Sequence, residues 1–156
     1  MREHGGVVAP AELNRLAATA TTHCLTGCVI GEVVGMAIAT ALGWGNAASI
    51  ALAVALAFVF GYGLTAVPLL HARVPFREVV PIALAADTVS IVIMELIDNG
   101  FVALVPGALD AGLGDLPFWV PLLTGFAIAW PVAFAVNRAM IRRGKGHAQV
   151  HGHHSH

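Results

Sequence analysis

The chain has 156 residues, of which 58% are hydrophobic and only 11% are charged, and its mean hydropathy is +0.81. A soluble domain of this size carries about a quarter charged residues, so the composition excludes an ordinary soluble protein and predicts an all-α polytopic protein embedded in a lipid bilayer. The formal net charge of −1 also argues against nucleic acid as a partner.

Four apolar segments are long enough to cross a bilayer as helices, which requires about 20 residues each. They cover residues 17–42, 47–70, 81–105 and 118–136, and turn-forming stretches such as Gly43–Asn46 and the Gly/Pro/Asp-rich segment 106–117 separate them. The sequence therefore predicts a four-helix transmembrane domain over residues 17–140. An N-terminal segment 1–16 precedes it, and a disordered, His-rich tail 141–156 follows it.

The basic residues predict the orientation of these spans. All eight Lys and Arg residues precede span one, lie between spans two and three, or follow span four. Because cytoplasmic loops carry the excess of Lys and Arg, we expect both termini in the cytoplasm and a multi-pass location in the inner membrane.

Span one carries an unusual polar pattern, "HCLTGCVIGEVVGM", over residues 23–36. Residues four apart share one ridge of a helix, so one ridge holds Cys24, Cys28, Glu32 and Met36. The adjacent ridge holds the small residues Gly27, Gly31 and Gly35, with His23 before them. Small residues at this spacing allow close helix contact, which predicts packing within the bundle or an oligomer through the glycine ridge.

Span three carries a second polar face in "AADTVSIVIMELIDNG". Its polar and thioether side chains recur at helical spacing and largely share one side of the helix. They are Asp87, Ser90, Met94, Glu95, Asp98 and Asn99. Spans one and three run in the same direction, so aligning Glu32 with Glu95 brings Cys24 and His23 level with Asp87.

The charge balance of the spans points to a cation site. Four acids lie within them and no Lys or Arg does. Four bare carboxylates would cost about 10 kcal/mol even on the lenient insertion scale, so protons or metal cations must balance them. We therefore expect a metal site between spans one and three, made by His23, Cys24, Cys28, Glu32, Met36, Asp87, Met94, Glu95 and Asp98. Carboxylic acids held neutral by hydrogen bonds are the structural alternative.

The ligand types favour a transition metal. Cys and Met select soft or borderline metals, whereas imidazole suits zinc, copper, nickel and iron. Copper is the first candidate, with zinc, nickel and iron open. Five histidines in the tail, His147, His151, His153, His154 and His156, agree with metal handling.

Two other functions remain open. A haem or thiol-redox protein would use His23 and His71 as haem ligands, or Cys24 and Cys28 as a reversible disulfide. A non-catalytic accessory subunit for metalloenzyme assembly would need only the glycine ridge. The sequence has no phosphate-binding loop, nucleophile elbow or zinc-protease helix, so an enzyme is not favoured.

The motifs "HCLTGCVIGE" and "DTVSIVIMELIDN" resemble those of a bacterial membrane-protein family, domain of unknown function 4396, over about residues 18–140. The resemblance implies a small helical membrane protein, of a kind sometimes described alongside copper enzymes. It implies no particular reaction.

Overall fold

The computed structural model describes residues 9–143, and in this range the chain forms four α-helices joined by short connections. The helices are α1 (Pro10–Leu42), α2 (Asn46–His71), α3 (Phe76–Leu104) and α4 (Leu116–Arg142). The predicted all-α fold is confirmed for these residues. Helix α1 begins inside the predicted N-terminal segment 1–16, and the His-rich part of the predicted tail lies outside the described residues.

The sequence explains where α1 ends. Gly43 adopts the left-handed conformation, with φ of 69°, which suits a residue without a Cβ atom. Its amide donates to the Thr40 carbonyl, and the Trp44 amide donates to the Ala39 carbonyl at 2.9 Å. These bonds satisfy carbonyls that the end of a helix would otherwise leave without donors. The turn predicted at Gly43–Asn46 is therefore observed.

Three helices, α1, α2 and α4, are long and apolar enough to cross a membrane. Helix α3 bends by 43° between Phe76–Ala85 and Asp87–Leu104, and it gives a fourth span if both parts cross as one. Pro81 lacks the amide hydrogen that a helix interior needs, and the Thr88 hydroxyl donates to the Leu84 carbonyl at 2.6 Å. Both features weaken the helical ladder on either side of the bend.

The helices form a bundle in which consecutive helices are antiparallel. Gly27, Gly31 and Gly35 of α1 face Gly61, Ala57 and Ala53 of α2, respectively, so the glycine ridge lies against a helix of the same chain. Helix α4 packs against both α1 and α3, and α1 and α3 run parallel across the bundle. An oligomer would therefore have to use a surface other than this ridge.

Polar and apolar side chains are distributed in the opposite way to a soluble protein. Large apolar residues point outwards on several helices, with Val59 61% and Leu96 70% exposed. Acidic residues point inwards instead, and Asp87 and Asp98 are among the most deeply buried side chains. Soluble proteins rarely bury acids and rarely leave a continuous apolar surface, so this distribution is typical of a membrane protein.

Candidate functional site

The inward-facing polar side chains of α1 and α3 meet at the centre of the bundle. The Cys24 thiol lies 3.5 Å from Asp87 Oδ1, and the Asn99 amide lies 3.4 Å from Glu32 Oε1. These pairs place the two helices in the register inferred from aligning Glu32 with Glu95. The parallel arrangement of α1 and α3 thus brings the four buried acids, Glu32, Asp87, Glu95 and Asp98, towards the same core.

Three acids and one amide form the carboxylate cluster, which we define as Glu32, Glu95, Asp98 and Asn99. The carboxyl groups of Glu32 and Glu95 are in contact, and Asn99 Nδ2 donates to Glu95 Oε2 at 3.1 Å. Asp98 interacts electrostatically with Glu32. Two carboxyl groups in contact cannot both be ionised unless a cation lies between them. Without a cation, they share a proton.

Asp98 has the least satisfied side chain of the cluster. It is 1% exposed, and neither of its carboxylate oxygens accepts a hydrogen bond from any described residue. It has room because Gly125 of α4 lies directly opposite: a Cβ atom at Gly125 would lie 3.2 Å from Asp98 Cγ and would collide with Oδ1. A buried carboxylate without hydrogen-bond donors is costly, so this side chain requires a proton or a bound cation.

A cavity of about 40 Å³ lies beside the cluster, at the end of the bundle where α1 joins α2. That volume holds about three water molecules, or one cation that keeps part of its hydration. The residues that close it from above belong to the connection between α3 and α4, and Asp110 of this connection accepts a hydrogen bond from Asn46 at 2.9 Å. The polar and thioether side chains in its wall are Glu32, Met36, Asn46, Ser49, Asp98 and Asn99.

The two thiols lie deeper than this cavity. Cys24 and Cys28 are both free and buried, and the Cys28 thiol contacts the Glu95 carboxyl. Cys28 therefore connects the carboxylate cluster with the pair formed by Cys24 and Asp87.

One predicted site residue, His23, lies apart from the others. His23 is exposed on the bundle surface, because a ridge of residues four apart turns by about 40° around the helix at each step and has left the core by this position. Met94 is fully buried and belongs to the same core cluster as Cys24 and Cys28, together with Ile91 and Phe126. His71 is also exposed, so the two histidines proposed as haem ligands do not lie in the core.

The family model called domain of unknown function 4396 matches residues 13–146. The chain belongs to this family. The match covers all but the first three residues of the four helices and confirms the resemblance seen in the motifs of spans one and three. No match was found among curated proteins or among solved structures.

In this member of family 4396, the acids do not converge on one point. Among residues 9–143, no group of three or more His, Cys, Asp or Glu side chains is placed to hold a metal ion. The core therefore offers ligands at successive depths along α1 and α3, and a metal bound by several of them would need a change of side-chain rotamers.

Sequence reasoning missed one polar group on α4. Asn137 is 1% exposed, and its Nδ2 donates to Thr21 Oγ1 at 3.0 Å and to Ser90 Oγ at 3.1 Å. A search for ionisable residues passes over a neutral amide. The sequence nevertheless contained a signal for it, because Asn137 directly follows the predicted fourth span, and an amide side chain at a membrane-embedded position needs buried hydrogen-bond partners.

Proposed function

We propose that this chain is a four-span protein of the inner membrane, with both termini in the cytoplasm, that binds or transports a transition-metal cation between α1 and α3. The cation is first held by Glu32 and Asp98 at the cavity and then passes to Glu95 and Cys28. Copper is the first candidate, and zinc, nickel or iron would fit the same mixture of ligands.

The state of Asp98 carries this proposal. Its carboxylate is buried, accepts no hydrogen bond from the described residues, and lines a cavity that also contains Glu32 and Asn99. Among the described residues, the buried polar and charged side chains include no Lys, Arg or His that would neutralise it. A cation in the cavity would supply the missing charge, and the cavity gives it access.

The potential metal ligands change from oxygen to sulfur with increasing depth in the core. The cavity offers carboxylate and amide oxygens with the Met36 thioether at its wall, whereas the thiols of Cys28 and Cys24 lie further in. A metal that tolerates both oxygen and sulfur ligands suits this sequence better than sodium, magnesium or calcium does.

The distribution of basic residues supports the proposed orientation. The start of α1, the connection between α2 and α3 together with the first turn of α3, and the end of α4 lie at one end of the antiparallel bundle. These three places hold all six arginines among the described residues, namely Arg15, Arg73, Arg77, Arg138, Arg142 and Arg143. The positive-inside rule assigns that end to the cytoplasm, so the cavity lies near the outer side, next to the α3–α4 connection.

Metal occupancy of the purified protein tests the proposal. The 156-residue chain, with the five tail histidines replaced by Gln, is loaded in detergent with copper, zinc, nickel or iron, gel-filtered and analysed for bound metal. We expect about one equivalent of one of these metals. Asp98→Asn should lower the apparent affinity at least tenfold, because it removes a charge that Asn99 cannot replace.

Asp115→Asn is the matched control, because Asp115 is exposed and lies in the connection before α4. It makes the same carboxylate-to-amide change and should leave occupancy unaltered. Circular dichroism of both variants verifies that the helices form. The proposal is refuted if none of the four metals is retained, or if Asp98→Asn retains as much metal as Asp115→Asn.

A further inference from the structure

An exposed polar stripe runs along the first half of α1. It consists of Thr19, Thr22, His23 and Thr26, which share one side of the helix and are all exposed. The middle parts of α2 and α3 expose apolar side chains instead, such as Val59 and Leu96, as expected for contact with lipid. We call this stripe the α1 polar face, and its polarity requires an explanation because it lies on the outside of the bundle.

The depth of the α1 polar face follows from the residues that mark the two bilayer surfaces. Arg15 lies at the end of the bundle that holds the described arginines, and Trp44 lies at the other end, just after α1. They are about 29 residues apart, which corresponds to about 43 Å of helix and matches a bilayer with its headgroups. The midplane then falls near residues 29–30. His23 lies about 10 Å from the midplane, inside a hydrocarbon region that extends about 15 Å to either side.

An imidazole at this depth needs polar partners. Histidine is rare within membrane spans, and where it occurs it faces the bundle interior or a water-filled cavity and pairs with another polar group. His23 is exposed instead, and it has no hydrogen-bond partner among the described residues. A further protein surface over His23 would remove the imidazole from lipid and supply those partners.

The hydroxyl groups beside His23 leave hydrogen-bonding capacity unused. The Thr26 hydroxyl donates its hydrogen to the Thr22 carbonyl at 2.8 Å, so Thr26 Oγ1 can only accept. Thr22 Oγ1 accepts from the Trp130 indole at 3.4 Å, and its own hydrogen has no acceptor among the described residues. A neutral imidazole has one N–H donor and one acceptor nitrogen, so it can pair with both kinds of hydroxyl group at once.

A second copy of the chain supplies the complementary groups. Two copies inserted in the same direction are related by a two-fold axis along the membrane normal, so residues of equal depth on α1 meet across that axis. His23 of each copy then lies at the depth of Thr22 and Thr26 of the other copy. These two residues offer the donor and the acceptor that the ring nitrogens require, and the symmetry satisfies both imidazoles.

Small side chains also allow the two α1 helices to approach closely. Ala18, Thr22 and Thr26 recur every four residues along this side of α1. Membrane helices pack through small residues at this spacing and form hydrogen bonds through Thr and His across the contact. The glycine ridge of α1 is already covered by α2, so it is not available for this purpose.

We propose that the chain forms a parallel homodimer through the α1 polar face, in which His23 of each copy bonds with Thr22 and Thr26 of the other. The dimer goes beyond the proposed function and does not depend on it, because none of these three side chains lines the cavity beside the carboxylate cluster.

Sedimentation equilibrium in density-matched micelles tests the dimer, with EDTA present so that metal bound to the histidine-rich tail cannot join chains. We expect the 156-residue chain to have twice the mass of one 16.1 kDa chain. His23→Leu should weaken dimerisation at least tenfold, because it removes both ring nitrogens. His23→Gln, which keeps a donor and an acceptor, should dimerise more tightly than His23→Leu.

Thr26→Leu should also weaken dimerisation at least tenfold, because it removes an acceptor and adds bulk at the closest approach. Thr124→Leu is its matched control, since Thr124 is exposed on α4 and likewise donates to a carbonyl of its own helix, at 2.7 Å. It should dimerise like the wild type. Circular dichroism of the variants verifies that the helices form.

Disulfide crosslinking in membranes locates the contact. Thr22→Cys should form a disulfide-linked dimer on oxidation, because the two copies bring this position together at the axis. The wild type should not, since Cys24 and Cys28 are buried, and neither should Val59→Cys, which places a thiol on the exposed surface of α2.

Three results would exclude the dimer. The first is a wild-type chain that sediments as a monomer, which would leave His23 to reach the headgroups by itself. The second is equal dimerisation of Thr26→Leu and Thr124→Leu. The third is a Thr22→Cys chain that crosslinks to a different protein rather than to itself, or no better than Val59→Cys does.

The two proposals can fail separately. Asp98→Asn should lose metal and still dimerise, whereas Thr26→Leu should lose the dimer and still bind metal. A wild-type chain that dimerises through the α1 polar face but retains no transition metal would refute the proposed function and leave the dimer standing.

Discussion

Replacing Gly31 with Ala should separate α1 from α2, because Gly31 is at the closest approach of the two helices. A Cβ atom built at this position would lie 2.5 Å from Ala57 Cα and 2.7 Å from the Leu56 carbonyl carbon. Both neighbours are backbone atoms, so the helices must move apart by about 1 Å to reach ordinary contact distances. Overpacking of this kind costs about 1–3 kcal/mol, and the higher helix propensity of Ala returns about 1 kcal/mol. We expect a net loss of up to about 2 kcal/mol, and a difference of about 1–3 kcal/mol from the same substitution at a helical site without such contacts.

Gly63→Ala provides the matched control, since Gly63 lies inside α2 and a Cβ atom there would meet no atom within 4 Å. The same substitution should be neutral or stabilising at this position. Unfolding by SDS in mixed micelles, followed by tryptophan fluorescence, gives the free energy of unfolding for both variants. If Gly31→Ala is as stable as Gly63→Ala, then the α1–α2 contact is looser than described and the packing argument for the glycine ridge is wrong.

Two further substitutions test the core. Gly125→Ala should lower metal affinity at least tenfold, because the added Cβ atom displaces the Asp98 carboxylate. Gly114→Ala is the control, since a Cβ atom at Gly114 would meet no atom within 4 Å, and this variant should bind metal normally. Equal affinity of the two variants would contradict the role of Asp98. Tyr62→Phe should cost about 1 kcal/mol in the same unfolding assay. It removes the 2.7 Å hydrogen bond to Thr88 and keeps the ring; an unchanged free energy would mean that this bond does not link α2 to α3.

Much of the fold could be predicted from the sequence because a bilayer permits few choices. Every backbone amide and carbonyl must be satisfied within the membrane, so long apolar segments become helices, and turns fall where Gly, Pro and Asp interrupt them. Helix α3 is the least clear case. Its acids lower its hydropathy and its bend divides it, so the fourth span follows from the position of the motif at Asp87–Asn99 rather than from apolar length alone.

The register between α1 and α3 could also be predicted from the sequence, because buried acids must lie close to groups that can neutralise them, and few registers allow this. Spacing placed Glu32 and Cys24 on one ridge, and Glu95 and Asp87 on another. Only a parallel alignment at equal depth lets the two ridges share protons or a cation. Periodicity could not show that His23 leaves the core, because that depends on how far the ridge turns around α1 before the bundle ends.

The contribution of α4 could not be predicted, and it decides how the acids are to be interpreted. Buried acids kept only to fix the helix register should have their hydrogen bonds satisfied, because an unsatisfied carboxylate costs more stability than an apolar residue in the same place. Asn99 donates to one oxygen of Glu32 and to one oxygen of Glu95, whereas Glu95 Oε1 is buried and accepts no hydrogen bond from a described residue. At Asp98, however, α4 presents Gly125, a residue with no side chain to donate a hydrogen bond, and leaves the carboxylate beside a cavity. Because a side chain at position 125 would collide with Asp98, α4 leaves room for the carboxyl group and gives it no donor, which agrees with the proposed cation site and with a carboxyl group that keeps its proton.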